Sequence, residues 1–393
     1  MNSAQDIRRL AWRLRRGFER FPLQTALELG LAPSITGWRR LREVSLQQAT
    51  LHCTEFHPAA EVRAPLPANV STPEDLPAEE GWWGFSFRGA LNRQSEATLF
   101  GWVEDARALA YRDADGRFWP ALLAGPERAL RLREIRYRPG HGALLRADRS
   151  PRRISKAVWL AERVYDNHAH WLTAHLPKLC LWQEMGAPAP LVLPRLRTPA
   201  MEATLALLGI DAADHFAIDA NEGPLQVTEL GVFSHDRLRP ELAQLVRRTF
   251  RRFAAGSKPW RRLYISRARS KGRRYLEEEE LLPVLYEHGF ERVFLEDHDF
   301  RGQIALMGEA RAVIAPHGAG LANMLFCSPG TLIGEISDCS FPNPNFFALA
   351  GALGHRYWLI PGVGVGEGPA LRRDISAPVA QAAAVVRAIG AAV

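Results

Sequence analysis

Residues 311–335 read RAVIAPHGAGLANMLFCSPGTLIGE, and their types and spacing could hold an anion. Ala312–Ala315 is a short apolar run of the kind that forms a buried parallel strand. His317, Gly318, Ala319 and Gly320 follow it, and Leu321–Phe326 is predicted to open a helix. Two glycines at a strand-to-helix turn let backbone N–H groups close on an anion, and a helix N-terminus favours negative charge. A phosphate or diphosphate is the ligand such a loop would take. The loop is not a dinucleotide fingerprint, because Asn323 stands where the third glycine belongs and the loop lies in the last quarter of the chain. No Gly-Lys-Ser/Thr follows, so it is not a Walker loop either. On spacing alone, a helix-start turn without a ligand stays open.

The whole string says more. His317-Gly318-Ala319-Gly320-Leu321, then Asn323, Phe326, Pro329-Gly330 and Glu335, resembles the signature of glycosyltransferase family 61. Leu263-Tyr264-Ile265-Ser266-Arg267 is similar to that family's strand followed by Ser-Arg. Arg273-Arg274 and Glu278 resemble the basic pair and acid after it, and Gly289-Phe290-Glu291 and Gln303 the positions before the loop. Asn167 to Pro177, NHAHWLTAHLP, resembles the family's segment of Asn, aromatic, His-Trp and Leu-Pro. The departures are His168-Ala169, where an aromatic pair is usual, and Glu277, where Asn is common. The resemblance covers roughly residues 95–365. It implies a GT-B fold, a nucleotide-sugar donor and a glycan or lipid-linked glycan acceptor.

Sugar transfer must stabilise a diphosphate leaving group, recognise base and ribose, and deprotonate an acceptor hydroxyl. The resemblance assigns donor binding to Arg267, Arg273, Arg274, Gln303, His317, Gly318, Ala319, Gly320, Asn323 and Glu335. Arg267 ends a predicted strand, where parallel sheets place ligand contacts, and its forked guanidinium suits phosphate oxygens. Arg273 and Arg274 are read as either phosphate ligands or solvated side chains. His317 could donate to phosphate or brace the loop, and Asn323 could bind phosphate or cap the helix. Glu335 could accept from ribose hydroxyls, and Gln303 could reach the base. The catalytic pair expected is His170, which matches the His-Trp position, with Asp166 as its orienting partner or as the base itself. Glu229 and His235 are held in reserve. Two Asp-x-Asp triplets, Asp113–Asp115 and Asp297–Asp299, sit in a turn and a polar loop and are not expected to hold a metal. His170 and His175 are five apart, a poor match to one helix face. No metal or other cofactor is expected.

The chain is 393 residues long, with 47% hydrophobic and 24% charged residues, room for two domains each with its own core. Four scattered cysteines without a C-x-x-C pair exclude a disulfide framework and fit a reducing compartment. The N-terminus lacks an uninterrupted apolar core and no run of 18 apolar residues occurs, so no signal peptide and no membrane-spanning helix is expected. Net charge is +7, nearly all the cations being arginine. No recognition-helix, zinc-finger or RNA-binding motif accompanies it, so nucleic acid is not an expected partner. Ile7, Leu10, Leu14, Phe18 and Phe21 line one face of a helix whose remainder carries Arg8, Arg9, Arg13, Arg15, Arg16 and Arg20. Residues 7–21 could therefore lie on an anionic membrane surface, or dock on the protein's own core.

Behind these residues stand alternating elements. Leu99–Trp119 reads as β structure with an Asp115-Gly116 hairpin turn. Strands are predicted at Val158–Val164, Leu191–Leu193, Phe216–Ile218 and Leu225–Leu230, with helices at Trp171–Met185, Thr198–Leu208 and Pro240–Phe253. Residues 254–259, AAGSKP, read as a linker. A second alternating series follows: strands at Leu263–Ser266, Arg292–Leu295, Ala312–Ala315, Thr331–Ile336 and Tyr357–Ile360, with helices between them and a last one at Ser376–Ala392. Such alternation predicts two Rossmann-like domains, their parallel sheets facing a central cleft. The expected division is a basic extension over 1–45, an acceptor-side domain over 46–256, a nucleotide-sugar-binding domain over 257–375 and a C-terminal helix over 376–393. The expectation is a cytoplasmic, bacterial, inverting glycosyltransferase acting on capsule or lipopolysaccharide, peripheral on the inner membrane face. Its alternatives are a nucleotide-sugar-binding protein that no longer transfers, within a membrane-bound assembly, and an NAD-dependent oxidoreductase.

Overall fold

The computed structural model describes residues 41–77, 86–146, 151–220, 222–254, 256 and 258–392. The amphipathic segment 7–21 and two positions of the predicted linker lie outside them. The first half supplies β1 (Arg42–Val44), β2 (Cys53–His57), β3 (Ala60–Arg63), β4 (Asn92–Ser95), β5 (Thr98–Arg112), β6 (Phe118–Ala124), β7 (Arg128–Leu130), β8 (Arg152–Trp159), β9 (Leu191–Pro194), β10 (Phe216–Ile218) and β11 (Leu225–Ser234). β3 and β4 pair as a ribbon. The others form a nine-stranded sheet in the order β1-β7-β6-β5-β11-β8-β9-β10, with β2 also on β5.

This sheet is mixed, which corrects the expectation of two parallel sheets. β11 runs parallel to β8 and antiparallel to β5. The hairpin from β5 to β6 is responsible. Asp113 Oδ1 accepts from the amides of Asp115 and Arg117 at 3.0 and 2.9 Å, and Gly116 takes φ +74°. That turn folds β6 back antiparallel, so only β8 to β11 follow the alternating pattern. β8 begins six residues before the sequence places its strand at 158, because its opening Arg152-Arg153 hides the pattern.

The second half supplies β12 (Arg261–Ile265), β13 (Phe290–Val293), β14 (Ala310–Pro316), β15 (Leu332–Asp338), β16 (Arg356–Val365) and β17 (Asp374–Ser376). Their order is β13-β12-β14-β15-β16-β17, parallel except for β17. The chain leaves β12 in one direction to β13 and crosses back to β14. The crevice beyond the carboxyl ends of β12 and β14 is therefore a topological switch point, where open α/β sheets bind ligands.

The expected separate cores are also corrected. One continuous apolar core joins the first sheet to the inner face of the second. Helix Pro240–Phe250 of the first half packs on helix Asn345–Leu353 and on the segment after the glycine loop, which also meets the turns His168–His170 and Trp171–His175. Phe250, Phe300 and Phe326 meet there, with ring centroids 5.7 to 6.4 Å apart. Asn345–Leu353 is buried at almost every position, so it has an apolar surface for both sheets. Burying each such phenylalanine contributes about 1.5–3 kcal/mol. A second core lies on the outer face, under helices Glu278–Glu287 and Val379–Ala391. The Ala/Val-rich final helix thus packs on protein. Residues 68–69 also cross between the halves: the Ala68 amide donates to Tyr357 O at 2.7 Å, and the Asn69 side chain bonds Leu359 at both ends.

Two helices differ from expectation in type. Ala319–Phe326 is a 3-10 helix. Trp171–His175 is a π-helical turn leading into Leu176–Glu184. A π turn brings residues five apart into register, so His170 and His175, a mismatch on an α-helix, become neighbours: His175 Nδ1 lies 3.1 Å from His170 O.

Candidate functional site at the switch point

Ser266 closes β12 and shapes the turn after it. Its hydroxyl accepts from the Ala268 amide at 3.1 Å and donates to buried Glu278 at 2.6 Å. Glu278 also holds Tyr264 and Arg292, at 3.0 and 2.5 Å. This locked turn aims Arg267 across the end of the sheet. Its Nε and Nη2 donate to the carbonyls of Arg273 and Gly272 at 3.1 and 2.9 Å. Those bonds hold Arg273 at φ +56°, a left-handed conformation that costs a non-glycine residue about 1–2 kcal/mol.

Arg267 lies directly on Gly318. A Cβ there would stand 2.7 Å from Arg267 Cζ. Gly318 has φ −177°, which any residue adopts, so glycine is needed for this close approach and not for its backbone. Gly320 serves packing in the same way, with Leu295 Cδ1 2.9 Å from where its Cβ would be. Arg267 and Arg273 have no carboxylate in salt-bridge contact among the described residues. Burial and the Arg273 charge bring the Arg267 guanidinium down to about 10. Burial lowers Arg273 as well, with Glu335 opposing. Two adjacent, partly buried cations with no carboxylate in contact among the described residues, at a switch point and beside the first amides of a 3-10 helix, make a place for an anion.

Below the loop a hydrogen-bonded chain fixes its shape. His317 Nδ1 donates to Glu335 Oε1, and Asn343 Nδ2 lies 3.0 Å from His317 Nε2. Tyr357 donates its hydroxyl to Glu335 Oε2 at 2.7 Å. Glu335 is fully buried with both oxygens taken, and both His317 nitrogens are engaged. These two residues brace the loop. Asn323, also fully buried, donates to Gly320 O at 3.1 Å and faces His168 Nε2 at 3.2 Å, tying the loop to the first half.

Ala319 stands at the start of the 3-10 helix, beside Gly318. Gln303 donates to Leu295 O and His298 O at 2.9 and 3.2 Å, which leaves its buried Oε1 without a partner among the described residues. Arg274 is held elsewhere, bonded to Asp374 at 2.6 Å on the surface. His170 is not joined to Asp166. Arg237 Nη1 sits 2.9 Å from His170 Nε2, and burial, then Arg237, pushes the imidazole well below its usual range. Asp166 is exposed and makes no hydrogen bond among the described residues. Glu229 pairs with Lys156 at 2.7 Å.

Both Asp-x-Asp triplets have local work. Asp113 makes the hairpin turn and accepts from Trp119 Nε1 at 2.9 Å. Asp297 pairs with Arg269 at 2.6 Å, and Asp299 caps its helix by accepting from the Gly302 amide at 2.7 Å. Cavities of about 520 and 640 Å³ near Cys339, Pro361 and Gln381 include none of the loop residues. The sequence reading passed over Asn343, Tyr357 and Arg237. Only the SHDR run after β11 marks one of them, with ionisable side chains crowded at a strand's carboxyl end.

Fold and site define an α/β protein that presents a cationic, glycine-lined crevice at the carboxyl edge of a parallel sheet. Residues 168–334 match the family model described as Glycosyltransferase 61, so this stretch is a glycosyltransferase family 61 segment. A stretch of 97 residues is 37% identical to the EGF domain-specific O-linked N-acetylglucosamine transferase of Drosophila melanogaster. It covers 24% of this chain and 18% of that relative, so the two share a fraction of their lengths. Both matches support a glycosyltransferase. No helix among the described residues is long and apolar enough to cross a membrane.

Proposed function

We propose that the protein is an inverting glycosyltransferase that moves a sugar from a nucleoside-diphosphate donor onto a surface-polysaccharide acceptor, capsule or lipopolysaccharide. The observation that carries this is Arg267 lying on Gly318 with Arg273 beside it, neither having a carboxylate in salt-bridge contact among the described residues. A diphosphate leaving group gains negative charge as the glycosidic bond breaks, and fixed guanidinium groups are suited to stabilise it without a metal. The acceptor approaches in a GT-B-like manner from the first half, whose β8 and β11 carboxyl ends adjoin the loop through His168 and Asn323. Asp166, the uncommitted carboxyl group there, takes the acceptor proton. His170, occupied by Arg237, is a positioning residue. The setting is cytoplasmic and bacterial, with residues 7–21 on the anionic inner membrane surface.

The test is turnover of UDP-, GDP-, CMP- and ADP-sugars by the full chain, with capsule or lipopolysaccharide fragments as acceptors. N-acetylglucosamine is the first sugar to try, given the relative's activity. Asp166→Asn is expected to lower kcat about 10²–10⁴-fold with donor affinity unchanged. Full activity of Asp166→Asn, together with loss in His170→Asn, would reverse the two roles. No transfer from any donor would reject the reading. The Arg237 contact on the His170 ring favours one second reading, a nucleotide-sugar-binding protein that does not transfer. Tight donor binding without turnover would establish it.

A further inference from the structure

The carboxyl ends of β8 and β11 hold a second cationic cluster that donor binding does not use. Arg237 is 7% exposed. Its Nη1 meets the His170 ring, which brings no negative charge, and its Nε is buried with no hydrogen-bond partner among the described residues. His235 Nε2, two residues back, is likewise buried without a hydrogen-bond partner among the described residues.

The three carboxylates whose charge Arg237 feels most are Glu134, Glu162 and Asp236, and each is claimed by another cation. Arg163 holds Glu134 at 2.7 Å, Lys178 holds Glu162, and Arg93 with Ser95 holds Asp236. Arg133 reaches Asp236 only at 3.8 Å. Five basic side chains thus share three carboxylates, and Arg237 and Arg133 are left over. A buried cation without an anion is strongly unfavourable, and a ligand that supplies the missing charge accounts for its retention. The cluster's position gives it a use. His170 shares one short turn with His168, which contacts Asn323 in the helix after the glycine loop. Arg237 therefore stands on the acceptor side of the crevice.

Resting on the transferase reading, we infer that Arg237, with Arg133 and His235, binds an oxyanion of the acceptor. The acceptor carries a carboxylate or phosphate near the hydroxyl that receives the sugar. A guanidinium fork accepts either oxyanion in bidentate fashion.

The experiment titrates the full chain with glucuronate, glucose 1-phosphate and uncharged glucose, the donor site being saturated with whichever of UDP, GDP, CMP or ADP binds. If none binds, the titration is run on Arg267→Gln. Binding of glucuronate alone assigns a carboxylate, binding of glucose 1-phosphate alone assigns a phosphate, and glucose is expected to do nothing. Arg237→Met fills the same space without charge and is expected to weaken anion binding about tenfold or more. It should keep nucleotide affinity and leave the ligand-free melting temperature unchanged or higher. Should it not fold, Arg237→Lys, which keeps the charge and loses the fork, is expected to show a weaker version of the same loss. Absence of anion binding, or binding that survives both variants, would overturn the inference. Nucleotide binding, measured separately, shows whether the donor reading stands when the acceptor inference fails.

Discussion

Replacing Gly318 with alanine separates binding from folding. The new Cβ would stand 2.7 Å from Arg267 Cζ and 3.0 Å from Cδ. Ordinary contact is about 3.5–4 Å, so the guanidinium must retreat by about 1 Å. That stretches the bonds from Arg267 to the carbonyls of Gly272 and Arg273, now 2.9 and 3.1 Å, past useful length. It also withdraws one charged donor from the phosphate position. A hydrogen bond to a charged group is worth about 1.5–3 kcal/mol, so nucleotide affinity is expected to fall about ten- to hundredfold. The backbone at 318 is extended and the displaced atoms end a flexible side chain. The two carbonyl bonds given up are worth about 1–3 kcal/mol together once water replaces them, so stability should fall by no more than that. Calorimetric titration with nucleotide and urea unfolding of the same preparation measure both. Wild-type nucleotide affinity in Gly318→Ala would refute the placement of Arg267 at the phosphate. A loss of several kcal/mol in stability would show that the glycine serves the fold instead.

Glu335→Gln leaves a single carbonyl oxygen for two buried donors, His317 and Tyr357, and is expected to cost about 1–3 kcal/mol in urea unfolding. An unchanged midpoint would mean the brace under the loop carries no energy. Burial pushes the Glu162 carboxyl up, but Lys178 foremost outweighs it and holds it at about 2. Lys178→Met is therefore expected to destabilise by about 3–5 kcal/mol, and Lys178→Met with Glu162→Gln to recover much of that; equal losses in both would contradict the pairing. Burial holds His141, His175, His235 and His355 down to about 4, against 6.5 when exposed. The unfolded chain takes up protons first. The stability carried by these neutral rings is whole above pH 6.5 and drains as pH falls toward 4, by up to about 1.4 kcal/mol per unit for each ring. Urea midpoints that stay level between pH 7.5 and 5 would contradict this.

Most of the second sheet was legible because its central strands are compact apolar runs between helices; β13 starts two residues before the place read for it, and the three-residue β17 carries no such run and was passed over. β14, for example, sends Val313 and Ala315 to one core and Ala312 and Ile314 to the other. The first sheet was harder to read. The Asp115-Gly116 hairpin that joins β5 and β6 was read, but the antiparallel pairing of β11 with β5 was not, because pairing direction is not written in a strand's own pattern. The shared core was hidden for a similar reason: the apolar surface of Asn345–Leu353 shows that it is buried but not by what. At the site, the loop residues and Arg267 stood out by type and spacing. Their division of labour did not, because it depends on partners far along the chain. Asn343 and Tyr357 turn His317 and Glu335 into a brace, Asp374 draws Arg274 away, and Arg237 occupies His170.

The central claim, that Arg267 on Gly318, with Arg273 beside it, holds a nucleoside diphosphate, is tested most directly by titrating UDP, GDP, CMP and ADP into wild type and Arg267→Gln, each with and without EDTA. The account predicts that at least one nucleotide binds wild type, that EDTA leaves its affinity unchanged, and that Arg267→Gln weakens it about ten- to hundredfold. Binding that needs added divalent metal, or that survives Arg267→Gln intact, would contradict it.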